Sequence, residues 1–231
     1  CHQMTKLPKE KWDEYLDWLF EFEYEKMGIP RERMFEAPNT VSVTPVKDEI
    51  KKDSLLFIGT LYRQKGIQYL LDAYKVNRNN PNILPLNIVG NGPDFEYIAN
   101  WIKENDLEGV IKMHGAIYDN EEKAKFFMRS FACISPLQAG LSVLESMGYG
   151  VPFITTRDAI TGGELFNIHN GIDGVTMESA DELNGLVADI FDNRQKYLDY
   201  GVKAKEFYDD CRKPVDMANG LWSAIQYVLK K

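Results

Sequence analysis

The feature that most constrains this chain is a regular alternation of short apolar segments and amphipathic segments from residue 54 onward. Residues 54–59 (SLLFIG) are apolar and end in glycine, and residues 66–76 (GIQYLLDAYKV) follow with helical spacing. Such alternation predicts βαβ units and a parallel sheet, whose strands are apolar throughout because helices cover both faces. Further strands are predicted at 85–90, 109–113, 131–134 and 151–156, and further helices at 93–105, 121–130 and 140–148.

The two ends of the chain complete the predicted architecture. Residues 174–177 are interpreted as a short sixth strand, and helices are expected near 180–192, 194–210 and 215–230. The whole predicts an α/β fold, a doubly wound parallel sheet of Rossmann-like type with flanking N- and C-terminal helices. Residues 46–231 are expected to form this domain.

The first forty residues differ from the rest. Residues 9–27 are interpreted as a helix with a broad apolar face, ended by Gly28 and Pro30. Because the chain starts at a cysteine, we expect it to be the interior of a longer protein, with residues 1–45 a remnant of, or linker from, a missing N-terminal domain. The apolar face is expected to pack on the helix at 215–230. Alternatively, the two helices are expected to pair with those of a second copy in a homodimer.

Composition excludes several classes of protein. A formal net charge of −8 disfavours general nucleic-acid binding. The three cysteines are scattered and form no C-x-x-C pair, which is typical of a protein in a reducing cytoplasm rather than of a disulfide framework. No apolar run approaches the roughly 18 residues that span a membrane, and neither zinc spacing nor an acidic pair after a strand indicates a metal.

The loops that follow the strands carry the candidate chemistry, since doubly wound sheets bind ligands at the carboxyl ends of their strands. After the first strand, Arg63 and Lys65 could neutralise a diphosphate, although solvated loop cations are the common alternative. After the fourth strand, small residues open a helix start to phosphate, and Glu145 could accept hydrogen bonds from a ribose diol or be an ordinary surface glutamate. The G-x-G at 90–92 is a weak signal for a dinucleotide-binding motif, and a tight turn from strand to helix explains it.

These loops, in their order along the chain, resemble the C-terminal domain of group 1 glycosyltransferases, which are retaining enzymes with two Rossmann-like domains. Residues 36–40 resemble the segment that ends the family's N-terminal domain, and residues 57–66 its first strand and phosphate-binding lysine. Residues 88–93 (IVGNGP) are similar to the family's V-G-x-G-P. Residues 140–152 are the most specific match, to the second half of its E-x7-E motif.

The resemblance implies a glycosyltransferase that moves a sugar from a nucleotide diphosphate donor to a hydroxyl acceptor, as in glycan or polysaccharide synthesis. It implies no cofactor beyond the donor substrate. A glycan or lipid-linked acceptor would bind through the missing domain, which could also bring this cytoplasmic protein to the membrane surface. The residues implied as catalytic are Lys65, Arg63 and Glu145, and those implied in donor binding are Gly59, Thr60, His114, Gly115, Ile117, Gln138, Gly140, Leu141, Ser142 and Glu145.

Two positions depart from the family pattern. Thr60 stands where the family usually has arginine, and Arg63 could substitute for it. Leu137 stands at the first glutamate of E-x7-E, which touches the transferred sugar in the family, and leucine cannot accept a hydrogen bond. Either Gln138 takes over, or sugar recognition differs, or activity is lost. A non-catalytic nucleotide-sugar-binding module and an epimerase or hydrolase of the same architecture therefore stay as alternatives.

Overall fold

The computed structural model describes residue 24 and residues 26–46 and 50–230. The strands run Ser54–Ile58 (β1), Leu86–Val89 (β2), Ile111–Met113 (β3), Ser130–Ile134 (β4), Gln138–Ala139 (β5), Phe153–Thr156 (β6), Ile160–Thr161 (β7) and Gly174–Met177 (β8). The helices run Ile67–Val76 (α1), Phe95–Glu104 (α2), Asn120–Met128 (α3), Ser142–Gly148 (α4), Leu183–Asp192 (α5), Arg194–Cys211 (α6) and Pro214–Leu229 (α7).

Six of the strands form one parallel sheet in the order β3-β2-β1-β4-β6-β8. The chain winds outward from β1 to β3, crosses back to β4 and then continues in the opposite direction. This is the doubly wound order, and it confirms the predicted fold class. The winding reverses between β1 and β4, so the loops that leave their carboxyl ends run in opposite directions and leave a crevice at that point of the sheet.

Helices cover both faces of the sheet, which explains why its strands are apolar on both sides. Leu55 and Phe57 of β1 pack with α1, α2 and α5 in one core, whereas Leu56 points into a second core with α3, α4 and α6. All three side chains are fully buried. The two cores hold β1 and β4 rigidly at the centre, where the crevice opens.

Element positions predicted from sequence agree with the structure to within a few residues, including the short strand at Gly174–Met177. The prediction missed a second, two-stranded sheet in which β5 pairs with β7 in parallel, Gln138 beside Ile160 and Ala139 beside Thr161. Two residues are too few to show a period of two in a sequence. This small sheet brings the loop after β6 beside the loop after β4.

The segment before β1 is anchored on α6. Tyr208 donates its hydroxyl to the carbonyl of Val41 at 2.6 Å, Thr40 donates to the carbonyl of Arg212 at 2.5 Å, and the amide of Thr44 donates to the hydroxyl of Tyr149 at 2.9 Å. The division of the chain near residue 45 stays a prediction.

The C-terminal helix α7 carries apolar side chains that are about half exposed or more. On its other side, the ring of Tyr227 lies 5.5 Å from that of Phe35. Most of the helix predicted at 9–27, namely 9–23 and 25, lies outside the described residues, so its packing and the homodimer stay predictions. In the part of the chain that the structure describes, every helix is too short or too polar to cross a membrane. The exposed side chains of α7 are Val215, Leu221, Trp222, Ile225, Val228 and Leu229.

Candidate functional site

A cavity of about 490 Å³ opens at the carboxyl ends of β1 and β2, between the loops that follow β3 and β4. It therefore lies at the reversal point of the sheet, where doubly wound folds bind their ligands. Among its described lining residues the charged ones are Lys65, Lys123 and Glu145. The lining consists of Ile58, Gly59, Thr60, Lys65, Val89, Gly90, Asn91, Ala116, Ile117, Tyr118, Lys123, Gln138, Gly140, Leu141, Ser142 and Glu145.

Lys65 enters the cavity from a short 3₁₀ turn between β1 and α1. The turn spans Arg63–Lys65 and ends at Gly66, whose φ of 70° lies in the left-handed region that favours glycine. The ammonium group of Lys65 lies against Gly59 and 5.6 Å from the ring centre of Tyr62. Burial lowers the pKa of Lys65. A partly desolvated cation that faces a cavity can bind an anion more strongly than a solvated lysine can.

Glycines let the loops after β1 and β2 approach each other closely. A methyl group at Gly90 would overlap the carbonyl oxygen of Gly59, and one at Gly92 would overlap that of Leu61. The amide of Gly59 donates to Val89 at 2.9 Å, which fixes this approach. The G-x-G at 90–92 is therefore required for packing between loops as well as for the turn that the sequence predicted.

Leu137 supports the loop that carries Lys65. Its Cγ atom lies 2.6 Å from the point where a Cβ atom on Gly66 would stand, and its amide donates to the carbonyl of Lys65 at 3.1 Å. The hydroxyl of Tyr62 donates to Oε1 of Gln138 at 2.9 Å. Gln138 lines the cavity, and Leu137 is absent from its described lining. Position 137 thus has a packing role, and the polar group at this wall is an amide.

Glu145 forms an ion pair inside the cavity wall. Nζ of Lys123 lies 3.0 Å from Oε1 of Glu145, and their side chains are only 22% and 16% exposed. Burial raises the pKa of the nearby Cys133 thiol; the Glu145 charge raises it further, and Lys65 lowers it. Lys65 and Glu145 therefore both lie near the same buried side chain of β4, and both line the cavity.

Three residues predicted for the site do not line the cavity. Arg63 is exposed on the 3₁₀ turn. His114 bonds through Nε2 to Asn87 at 2.8 Å and lies 4.6 Å from the ring of Phe126, so it faces α3. Burial of its ring lowers the pKa of His114. The carbonyl oxygen of Gly115 accepts a hydrogen bond from the amide of Gly90 at 2.7 Å, which gives Gly115 a role in holding the loops together.

The structure also adds lining residues that sequence reasoning missed. Tyr118 lines the cavity from the loop before α3, Lys123 lines it from the N-terminal part of α3, and Asn91 lines it from the loop after β2. One feature of the sequence could have indicated a role for Lys123. It lies near the N-terminus of α3, where Glu121 and Glu122 suit the helix dipole and a cation does not. A residue placed against local preference indicates a tertiary role.

Among the residues that the structure describes, no three His, Cys, Asp or Glu side chains form a cluster that could hold a metal ion.

Comparison with known proteins identifies the family. The sequence profile of a family described as glycosyl transferases group 1 matches residues 45–207. The chain belongs to the group 1 glycosyltransferases. It is 26% identical, over 155 residues, to an uncharacterized glycosyltransferase of Methanocaldococcus jannaschii, covering 66% of this chain and 42% of that protein. The part of this group 1 chain that matches therefore covers about two fifths of that relative's length.

Solved structures show the same fold. A TarM variant of S. aureus, in complex with fondaparinux, alpha-GlcNAc-glycerol and UDP, superposes with a TM-score of 0.70 at 17% identity, covering 87% of this chain and 41% of that one. HepE of Anabaena, in complex with UDP, gives a TM-score of 0.61 at 18% identity and covers 77% and 49%. At these identities the likeness shows the fold alone.

Proposed function

We propose that this chain is the donor-binding, C-terminal domain of a retaining glycosyltransferase, which holds a nucleotide diphosphate sugar while the sugar passes to a hydroxyl acceptor. The observation that carries the proposal is the cavity at the reversal point of the sheet, with Lys65 and Glu145 on its walls. Family membership supports the transferase chemistry, and the UDP in the TarM and HepE structures supports a nucleotide diphosphate as the ligand.

Lys65 stabilises the diphosphate leaving group in this proposal. When the bond between sugar and phosphate breaks, negative charge develops on the diphosphate, and a cation already fixed nearby needs no reorganisation at that moment. The contact of its ammonium group with Gly59 supports such a fixed position. The backbone at Gly140, Leu141 and Ser142, which also line the cavity, completes the phosphate-binding surface in this proposal.

The nucleoside occupies the part of the cavity between the loops after β2 and β3. Ile117 and the neighbouring Ala116 form a small apolar surface against which a base can lie, and Tyr118 adds an aromatic ring. Glu145 accepts hydrogen bonds from the ribose diol, since a carboxylate offers two accepting oxygens. Thr60 faces the same cavity from the end of β1 and contacts phosphate.

Recognition of the donor sugar falls to Gln138 in this proposal. Leu137 packs on Gly66 and has no accepting atom, whereas the amide of Gln138 is held by Tyr62 at the cavity wall. With its carbonyl oxygen engaged, the amide presents N–H donors toward a sugar hydroxyl. The leucine at position 137 also favours a second candidate, a nucleotide-sugar-binding module without catalysis, because the family's glutamate near the sugar is missing.

The acceptor and the rest of the machinery are assigned to another domain. The match covers only 42% of the M. jannaschii relative, which supports a partner domain that binds a glycan or lipid-linked acceptor. Polysaccharide synthesis in the cytoplasm, at the membrane surface, is the setting that we propose for the whole protein.

Binding and turnover test the proposal separately. Calorimetry of this chain with UDP, GDP and ADP should give measurable affinity for at least one of them. A nucleotide that binds the native state should also raise its melting temperature. Absence of binding to all three would reject the donor site. Product analysis with the full-length protein then separates transfer from hydrolysis, from epimerisation and from binding without turnover.

Replacing Glu145 by glutamine should weaken UDP more than 2′-deoxy-UDP. A hydrogen bond to a charged group contributes about 1.5–3 kcal/mol, and an amide keeps only one accepting atom for the two ribose hydroxyls. Calorimetry with both nucleotides measures the difference. Glu104→Gln on the exposed end of α2 is the matched control. Equal losses for both nucleotides would remove Glu145 from ribose binding.

Affinity for UDP should also fall as the pH rises. Burial lowers the pKa of Lys65, so in the free protein this ammonium loses its proton at a lower pH than an exposed lysine does. Only the protonated form attracts a diphosphate, hence the loss occurs as the pH passes through that lowered pKa. A Lys65→Arg variant, which stays charged, should lack this dependence. Parallel pH profiles for the two proteins would contradict the assignment.

A further inference from the structure

The ion pair between Lys123 and Glu145 is the one charged contact within the described cavity lining, and the two residues come from different helices. Lys123 extends from α3 and Glu145 from the first turn of α4, and their charged atoms meet at 3.0 Å. The side chains are 22% and 16% exposed, so water screens the pair only partly. An exposed pair would contribute little, but this one sits at the place where a ligand binds.

The helix backbone that carries Lys123 is held firmly. Asp119 caps α3 by accepting from the amide of Glu122 at 2.8 Å, and Ala124 and Phe127 on the same helix are buried in the core behind the cavity. The stem of Lys123 therefore leaves the helix from a fixed point. The backbone at Glu145 is held equally firmly, because the neighbouring Leu144 is fully buried.

The two oxygens of the Glu145 carboxylate differ in their relation to Lys123. Oε1 accepts from Nζ of Lys123 at 3.0 Å, which restrains the carboxylate on that side. Lys123 is bound through Oε1, and a carboxylate has further accepting capacity at its other oxygen. A carboxylate held in this way loses less side-chain entropy when it binds a ligand than a free one would.

We propose that Lys123 is a positioning residue for nucleotide recognition: it holds Glu145 in the orientation that accepts the ribose hydroxyls and thereby sets the preference for ribose over 2′-deoxyribose. The inference rests on the proposed ribose role of Glu145. Lys123 acts through its neighbour, so its removal changes the discrimination between the two sugars rather than the attraction for phosphate.

Two other roles for Lys123 give different results. If it contacted phosphate directly, its loss would weaken UDP and 2′-deoxy-UDP by the same factor. If it only stabilised the fold, its loss would lower the melting temperature and leave both affinities unchanged. The ratio of the two affinities therefore separates positioning from both roles.

The experiment measures dissociation constants of UDP and 2′-deoxy-UDP by calorimetry for the full chain and four variants. These are Lys123→Gln, Lys123→Arg, Glu145→Gln and the double variant with glutamine at both positions. Lys125→Gln is the matched control, since Lys125 is exposed on the same helix and does not line the cavity. Melting temperatures establish that each variant is folded.

Lys123→Gln should reduce the preference for UDP over 2′-deoxy-UDP by roughly three- to tenfold, as expected for residues in direct contact. Lys123→Arg should restore most of it, and Lys125→Gln should leave it unchanged. In the Glu145→Gln background, loss of Lys123 should have no further effect on the ratio.

An unchanged ratio in Lys123→Gln would overturn the inference while leaving the donor site intact. Equal weakening of both nucleotides, with the same factor in the Glu145→Gln background, would overturn it in favour of phosphate contact. A wild-type chain that binds UDP without preferring it over 2′-deoxy-UDP would overturn the ribose role of Glu145 and this inference together, and a wild-type chain that binds neither nucleotide would overturn the proposed donor site as well.

Discussion

Replacing Lys65 by alanine should weaken UDP binding by about 1.5–3 kcal/mol, the contribution of hydrogen bonds to charged groups. That corresponds to roughly ten- to a hundredfold in the dissociation constant. The effect is large because the ammonium faces the cavity against Gly59 in a partly desolvated position. The fold should persist, since the turn is also held by the amide of Lys65 donating to Tyr62 at 3.0 Å.

Arg63→Ala is the matched control for this prediction. Both cations belong to one 3₁₀ turn, but Arg63 is exposed and absent from the cavity lining. Calorimetry of both variants with UDP should show a loss confined to Lys65→Ala. If Arg63→Ala weakened binding as much, the arginine would have to reach the ligand, as the family resemblance suggested for it.

Gly90→Ala should lower the free energy of unfolding by about 1–3 kcal/mol, the usual cost of forcing extra atoms into a packed site. The added methyl group would overlap the carbonyl oxygen of Gly59, and the φ of 151° at Gly90 is one that other residues rarely adopt. Backbone cannot rotate away as a flexible side chain can. Because Gly59 lines the cavity, any shift that relieves the overlap should weaken UDP binding too.

Urea unfolding measures the stability change, with Gly109→Ala as the control. Gly109 has no atom within 4 Å of the added methyl group, so alanine there should be neutral or slightly stabilising. An unfolding midpoint for Gly90→Ala equal to that of the wild type would mean that the two loops can separate without loss of packing.

Much of the fold and part of the site were predictable because they depend on local patterns. The apolar strands and the helical spacing placed each βαβ unit, and parallel strands necessarily bring the loops that follow them to one edge of the sheet. Lys65 and Glu145 could be assigned to one site by that rule alone. Leu137 could be recognised from its motif as a position unable to bind a sugar hydroxyl.

Other features required the tertiary structure, because they depend on contacts between residues far apart in sequence. Neighbouring cations on one turn, Arg63 and Lys65, differ only in the side of the turn from which they project, which spacing does not reveal. His114 faces Asn87 and Phe126 rather than the cavity for the same reason.

The sequence by itself determined the doubly wound sheet and the edge at which the cavity opens, since periodicity and chain direction act within each βαβ unit. Only the tertiary structure decided which side chains meet there. It paired Lys123 with Glu145 across 22 residues and brought Gly90 onto Gly59. Side-chain direction and loop approach depend on how helices pack on the sheet, and packing is a property of the whole core.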